Sequence, residues 1–135
     1  MKHKTIGKLK KDAWDLLSKI VRLSHADEGG TVECFTCGKL MNWEKDGAQA
    51  GHAIGGRGGA VLLDESIIKP QCFRCNIKLR VNYTIYTTKL IEQHGMDWWK
   101  CKLVESKKTR KWSRVELEET IQKYRERLKD LKGTE

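Results

Sequence analysis

The sequence predicts an α+β fold: a small core of short strands, stapled by zinc, with helices flanking it at the N- and C-terminal ends. Three observations predict it. Two C-x-x-C pairs, Cys34–Cys37 and Cys72–Cys75, stand 34 residues apart. Between them the stretch AQAGHAIGGRGGAV holds five glycines in fourteen residues, which argues for a loop or bulged hairpin over a regular strand. Apolar residues recur at a helical period near both ends of the chain.

Residues 8–25 read as a helix whose rough stripe is Leu9, Trp14, Leu17, Ile20, Val21 and Ser24, with lysines filling much of the other face and Gly29 and Gly30 as the stop. TVECFTCGK can be a strand running into a zinc knuckle, and KLMNW a second short strand. Residues 60–68, AVLLDESII, return to apolar character. Residues 76–94 should be helical in large part, with RVNY as an interruption, Asn82 as the cap of a second helix and Gly95 as its end. Asp97 is the expected cap of a further turn or more carrying Trp98, Trp99 and Leu103, and ESKKTRK, residues 105–111, reads as a basic polar loop. Ser113 and Glu116 spell a capping box before the stripe Leu117, Ile121, Tyr124, Leu128, Leu131. That stripe fits docking on the first helix better than a coiled coil with a second copy, because coiled coils sustain three or four heptads. The expected organisation is one domain in three parts: an N-terminal helix at 1–30, a zinc-bound core at 31–95 and a C-terminal helical extension at 96–135.

Composition narrows the function. With 27 Lys and Arg against 18 Asp and Glu, the chain carries a formal charge of +9, which favours polyanions, nucleic acid first. No apolar run approaches the ~20 residues of a membrane span. The basic start MKHKTIGKLKKDAW lacks the apolar segment of a secretory signal, so a cytoplasmic location is expected. Cysteine pairs in such a chain suggest tetrahedral Zn2+, held by Cys34, Cys37, Cys72 and Cys75, more than disulfides. No thioredoxin-like pattern surrounds either pair. Cys101 is left over, as a buried small hydrophobe.

A four-thiolate zinc has no open position, so any chemistry needs other residues. His52 lies inside the zinc-closed segment with glycines on both sides, where an imidazole can take a proton from water beside a phosphate; a capping or surface histidine is the plainer reading. Asn76 comes directly after Cys75. Its amide oxygen suits Mg2+ or Mn2+, and asparagine equally suits a plain helix cap. Arg57, Arg74, Lys78 and Arg80 surround these positions and can hold phosphates, or be solvated surface charges. The expectation is that zinc sets His52 and Asn76 side by side, facing a nucleic-acid backbone.

The ordered set CFTCGK, AGHAIGGR, QCFRCN and LRVNYTIYTTKLIEQHG, from about Cys34 to Gly95, resembles the phage NinG/Rap recombination endonucleases within the wider HNH (ββα-metal, His-Me finger) nucleases. The resemblance implies a structural zinc on the four cysteines, His52 as the general base and Asn76 as a ligand of a catalytic Mg2+ or Mn2+. It implies that Cys34–Ile54 form the β-hairpin side and that the helix of a ββα unit begins at Asn76. It implies cleavage of branched or structured DNA in phage recombination, in the host cytoplasm, with a homodimer as one arrangement for cutting two strands. A zinc-stabilised DNA-binding module without catalysis is the alternative.

Two positions depart from the pattern. The middle asparagine, which orients the histidine, falls at Ile67, and an isoleucine side chain cannot hydrogen-bond an imidazole. The position before the histidine, an acid or histidine in many relatives, is Gly51. The second ligand of the catalytic metal then has Gln49, Asp46 and Asp64 as candidates, and either another group such as a backbone carbonyl orients His52 in place of the missing asparagine, or the site is weak or inactive.

Overall fold

The computed structural model describes residues 3–55 and 59–133. Helix α1 spans Ile6–Ser24 and starts two residues before the expected position, because the Thr5 hydroxyl accepts from the Lys8 amide at 3.1 Å and caps the first turn. Its buried face is Leu9, Ala13, Leu17, Ile20 and Val21. The chain then turns through Asp27, whose carboxylate accepts from the Thr31 amide, and Gly30, whose φ of +82° is open to glycine at no steric cost.

Strands β1 (Thr31–Glu33) and β2 (Leu40–Asn42) form an antiparallel pair with Val32 opposite Met41. The first knuckle, Cys34–Cys37, is the bend between them, closed by Gly38 N–H to Cys34 O at 2.9 Å. A second, separate pair joins β3 (Gln49–His52) to β4 (Ile68–Gln71), with Gln49 opposite Gln71, Gly51 opposite Lys69 and His52 opposite Ile68. This corrects two expectations. Part of the glycine-rich stretch is a regular strand, and the partner of the histidine strand is not inside Cys34–Ile54. The hydrogen bonds that make β3 a strand come from residues well past the loop, so nothing local in AQAGH announces them.

From within the second knuckle, Arg74–Lys78 wind as a π-helical turn, followed by Arg80–Asn82 as a 3-10 turn in which three successive non-glycine residues have positive φ (47°, 61° and 52°). Helix α2 (Tyr83–His94) comes next, and Gly95, at φ 93°, separates it from α3 (Met96–Ser106). Gly95, not Asp97, occupies the cap of α3, and Asp97 lies inside the first turn, where a carboxylate suits the helix dipole. The loop expected at 105–111 starts later, since Glu105 and Ser106 still belong to α3.

Helix α4 (Arg114–Leu131) is capped by Ser113, whose hydroxyl accepts from the Glu116 amide at 3.1 Å. The reciprocal half of the box is not made: the Glu116 carboxylate pairs with Arg110 instead. Leu117 and Ile121 close on Leu9 and Ala13 of α1, while Leu128 joins the main core. The stripe of α4 is thus covered within the chain, apart from Leu131, which is 38% exposed. Burial of each such side chain is worth roughly 1.5–3 kcal/mol. The main core packs Leu17, Ile20 and Val21 of α1 against Ala50, Ala53, Ile54, Ile67 and Ile68 of the β3–β4 region, closed by Tyr86, Leu90 and Trp99. Among the described residues, no helix is long and apolar enough to cross a membrane.

Candidate metal centre and the His52 strand

The two knuckles meet. The sulfurs of Cys34, Cys37, Cys72 and Cys75 all lie within 4.8 Å of one another, and Cys37 Sγ is 3.8 Å from Cys72 Sγ. A tetrahedral zinc with Zn–S bonds of about 2.3 Å requires sulfurs about 3.8 Å apart. Cys34, Cys72 and Cys75 are buried and Cys37 is exposed. Burial works against the Cys34 thiolate, yet the Thr36 hydroxyl and the backbone N–H groups of Cys72, Cys37 and Thr36 outweigh it and bring the thiol down to about 6. Burial, with the neighbouring sulfurs, pushes Cys37 up to about 12, and burial also raises Cys72. Four thiols this close cannot all ionise without a cation between them. The donor set therefore fits zinc, in a closed, structural site.

The second knuckle also fixes Asn76. Its N–H bonds Cys72 O at 2.9 Å, so Asn76 sits beside β3. Its Nδ2 donates to Gln49 Oε1 at 2.7 Å. A Cβ built on Gly51 would lie 2.9 Å from Asn76 Oδ1 and would collide with Gln71 Oε1. Gln49, Gln71 and Asn76 thus form an amide cluster on the face of β3 that Gln49 and Gly51 share, and glycine is required at 51 because the Gln71 amide takes up its side-chain space. Gln71 is fully buried. Its Nε2 donates to Val81 O at 2.7 Å and Thr36 Oγ1 at 3.1 Å, and its Oε1 has no hydrogen-bond partner.

His52, the next residue along β3, alternates to the other face. Its ring packs on Trp14 of α1 at 4.4 Å between centroids, and the residue is 6% exposed. Its Nε2 lies 2.9 Å from Leu62 O. The expectation of an imidazole and an amide side by side is therefore corrected: β3 stands between them, because consecutive strand residues point to opposite faces. Ile67 offers no side-chain bond to the ring, as its sequence implied. It is fully buried in the core, and its bonds are main-chain ones: the carbonyl accepts from Ala53 N–H and the Tyr86 hydroxyl, and the N–H donates to Asp64 O.

The other candidates lie apart from the cluster. Arg74, Lys78 and Arg80 are exposed on the outer side of the second knuckle and the turn after it, and Arg57 lies outside the described residues. Asp46 accepts from the Asn42 amide in the β1–β2 region and Asp64 pairs with Lys102 at 2.7 Å, so both carboxylates are engaged away from the amide cluster. Burial opposes the Asp64 carboxylate, but Lys102 and Ser66 hold it below the usual range. Cys101 is exposed rather than buried, because the α3 stripe turns the other way.

Four participants were missed by sequence reasoning: Gln71, Trp14, Tyr86 and the Leu62 carbonyl. Tyr86 donates to Gly51 O at 2.7 Å or Ile67 O at 3.0 Å and ties α2 to the site. Trp14 was legible only as a member of the apolar stripe of the first helix. Gln71 carried no signal that set it apart from the neighbouring Lys69. A backbone carbonyl leaves no trace in a sequence.

No curated protein and no solved structure matches the chain. A family model does, the one described as Bacteriophage Lambda NinG protein, and it matches residues 1–135, the whole length. On that match the chain belongs to the family of the bacteriophage lambda NinG protein.

Proposed function

We propose that the chain is a divalent-metal-dependent endonuclease that hydrolyses phosphodiester bonds in branched or structured DNA, on the HNH-type plan that its motifs resemble. The observation that carries the proposal is the bond from His52 to Leu62 O. A carbonyl only accepts, so Nε2 carries a proton, and in this reading Nδ1 serves as the base. The bond supplies the orientation that Ile67 cannot. In this reading Nδ1 takes a proton from the attacking water, the new P–O bond forms on the scissile phosphorus, and the leaving oxygen departs.

A second metal fits the amide cluster by donor type. The donors are neutral oxygens, hard enough for Mg2+ or Mn2+ but without a carboxylate, so substrate phosphates must complete the shell. Asn76 would hold the ion, which would supply charge stabilisation to the DNA backbone on the face of β3 opposite His52. Gly51, which stands where many HNH enzymes place a ligand, has its side-chain direction aimed at Asn76. DNA as the polyanion is supported by the span between Glu65 and Glu92, which has no acidic residue and five basic ones, Lys69, Arg74, Lys78, Arg80 and Lys89.

The test offers purified protein linear duplex, single strand, fork and four-way junction, each with EDTA, Mg2+ and Mn2+. Metal-dependent nicking of fork or junction is the expected result, and no cutting of any substrate under any condition would rule the activity out. A second reading, a zinc-stapled DNA-binding module without catalysis, is favoured by the 6% exposure of His52 and its packing under α1. That module would bind DNA with a strong salt dependence and cut nothing.

A further inference from the structure

The buried Oε1 of Gln71 has no partner, and an unpaired acceptor in a folded core is destabilising unless something satisfies it. The amide cannot simply rotate to escape that cost. With the group reversed, an oxygen would face Val81 O, a pure acceptor now held by Nε2 at 2.7 Å. Oε1 is therefore fixed toward Gly51. It fills the space of the missing residue-51 side chain, the same space that Asn76 Oδ1 borders at 2.9 Å. Two amide oxygens from opposite sides of the second knuckle thus converge where glycine leaves room. Asn76 is half-buried, so the cluster can be reached from solvent on its side.

We infer that Gln71 Oε1 is the second protein ligand of a hard divalent cation, together with Asn76 Oδ1. It stands in for the side chain that Gly51 lacks. This rests on the endonuclease reading for its purpose but not for its test, since cation binding is measurable without cleavage. Gln49 is a positioning residue here: its Oε1 accepts the Asn76 amide hydrogen and turns Oδ1 toward the cluster. Neither Asp46 nor Asp64 takes part, each being committed elsewhere.

The experiment is paramagnetic broadening by Mn2+ of the amide resonances of the zinc-loaded full chain. In the parent, the Gly51 backbone amide and the Asn76 and Gln71 side-chain amides broaden selectively. In Gln71→Ala that selectivity is lost at Gly51 and Asn76. In the double variant Gly51→Asp with Gln71→Ala, the emptied space takes the new carboxylate and the broadening returns, at lower Mn2+ concentration because the ligand is now charged. Zinc content and the dispersion of the spectrum report folding in each case. Gln71→Ala broadened like the parent overturns the inference. So does a parent that shows no selective broadening, which would mean that the apparent orphan oxygen accepts from a reversed Asn76 amide. If the parent nevertheless cuts forks with Mn2+, only the ligand assignment has failed; if it neither binds Mn2+ nor cuts, the nuclease reading falls as well.

Discussion

Trp14 of α1 lies over the ring of His52 of β3, with centroids 4.4 Å apart and planes tilted by 34°. The helix that sequence placed outside the core is thereby part of the site's wall. On the proposed mechanism, His52→Ala loses at least about 100-fold in cleavage, the usual worth of a general base, with zinc content unchanged. Trp14→Leu keeps zinc and the basic nitrogen but loosens the ring, so cleavage falls by a smaller factor, roughly tenfold, as judged from single-turnover rates. Full activity in His52→Ala would end the assignment.

Removing a zinc ligand tests the staple. Cys75→Ser leaves three thiolates in a region with little apolar core of its own, and the binding free energy of a structural zinc is folding free energy of about 10–16 kcal/mol. The variant, or the parent with a strong chelator, loses the β1–β2 region first, seen as loss of hydrogen-exchange protection at Val32 and Met41. Protection that persists after verified zinc removal contradicts this.

Restoring the missing asparagine should fail. Ile67→Asn puts an amide at a fully buried position among Ala53, Ile54 and Tyr86, and costs about 3–5 kcal/mol from lost packing and desolvation. Denaturant unfolding measures it. A neutral substitution with raised activity would show that the side chain at 67 can reach His52 after all.

The Asp64–Lys102 pair is shielded, with side chains 20% and 17% exposed. Asp64 sits below its ordinary value in the fold although burial opposes it, because Lys102 and Ser66 hold the carboxylate. A depressed carboxyl stabilises the fold above its unfolded value, near 3.9, and that contribution is lost as pH falls through the lower folded value. Asp64→Asn should therefore cost about 1–2 kcal/mol at neutral pH and progressively less in acid, measured by urea midpoints across the acid range. Equal losses at all pH values would mean that the charge plays no part.

If Arg74, Lys78 and Arg80 meet phosphates, replacing all three by Gln lowers DNA affinity for every substrate shape and reduces the slope of log K against log salt by about three. A slope left as in the parent would place the DNA elsewhere.

Sequence alone determined the parts whose signal is local. The two knuckles declare themselves by ligand spacing, and their sulfurs do converge. Ser113 caps α4 and Gly95 ends α2, since caps are written in two to four adjacent residues. The α4 stripe docks on α1, because its periodicity survives in any context. Tertiary structure decided everything that depends on which backbone lies beside which. β3 is a strand only because β4 pairs with it, and that pairing sends His52 and the Asn76 cluster to opposite faces. The orientation of His52 comes from the carbonyl of Leu62, and every residue has a carbonyl, so no residue type could have marked it. The glycine at 51 looked like loop flexibility and is instead a vacancy filled by Gln71. Side-chain chemistry is read from letters; the partner of a main-chain group is settled by long-range packing, which letters encode only collectively.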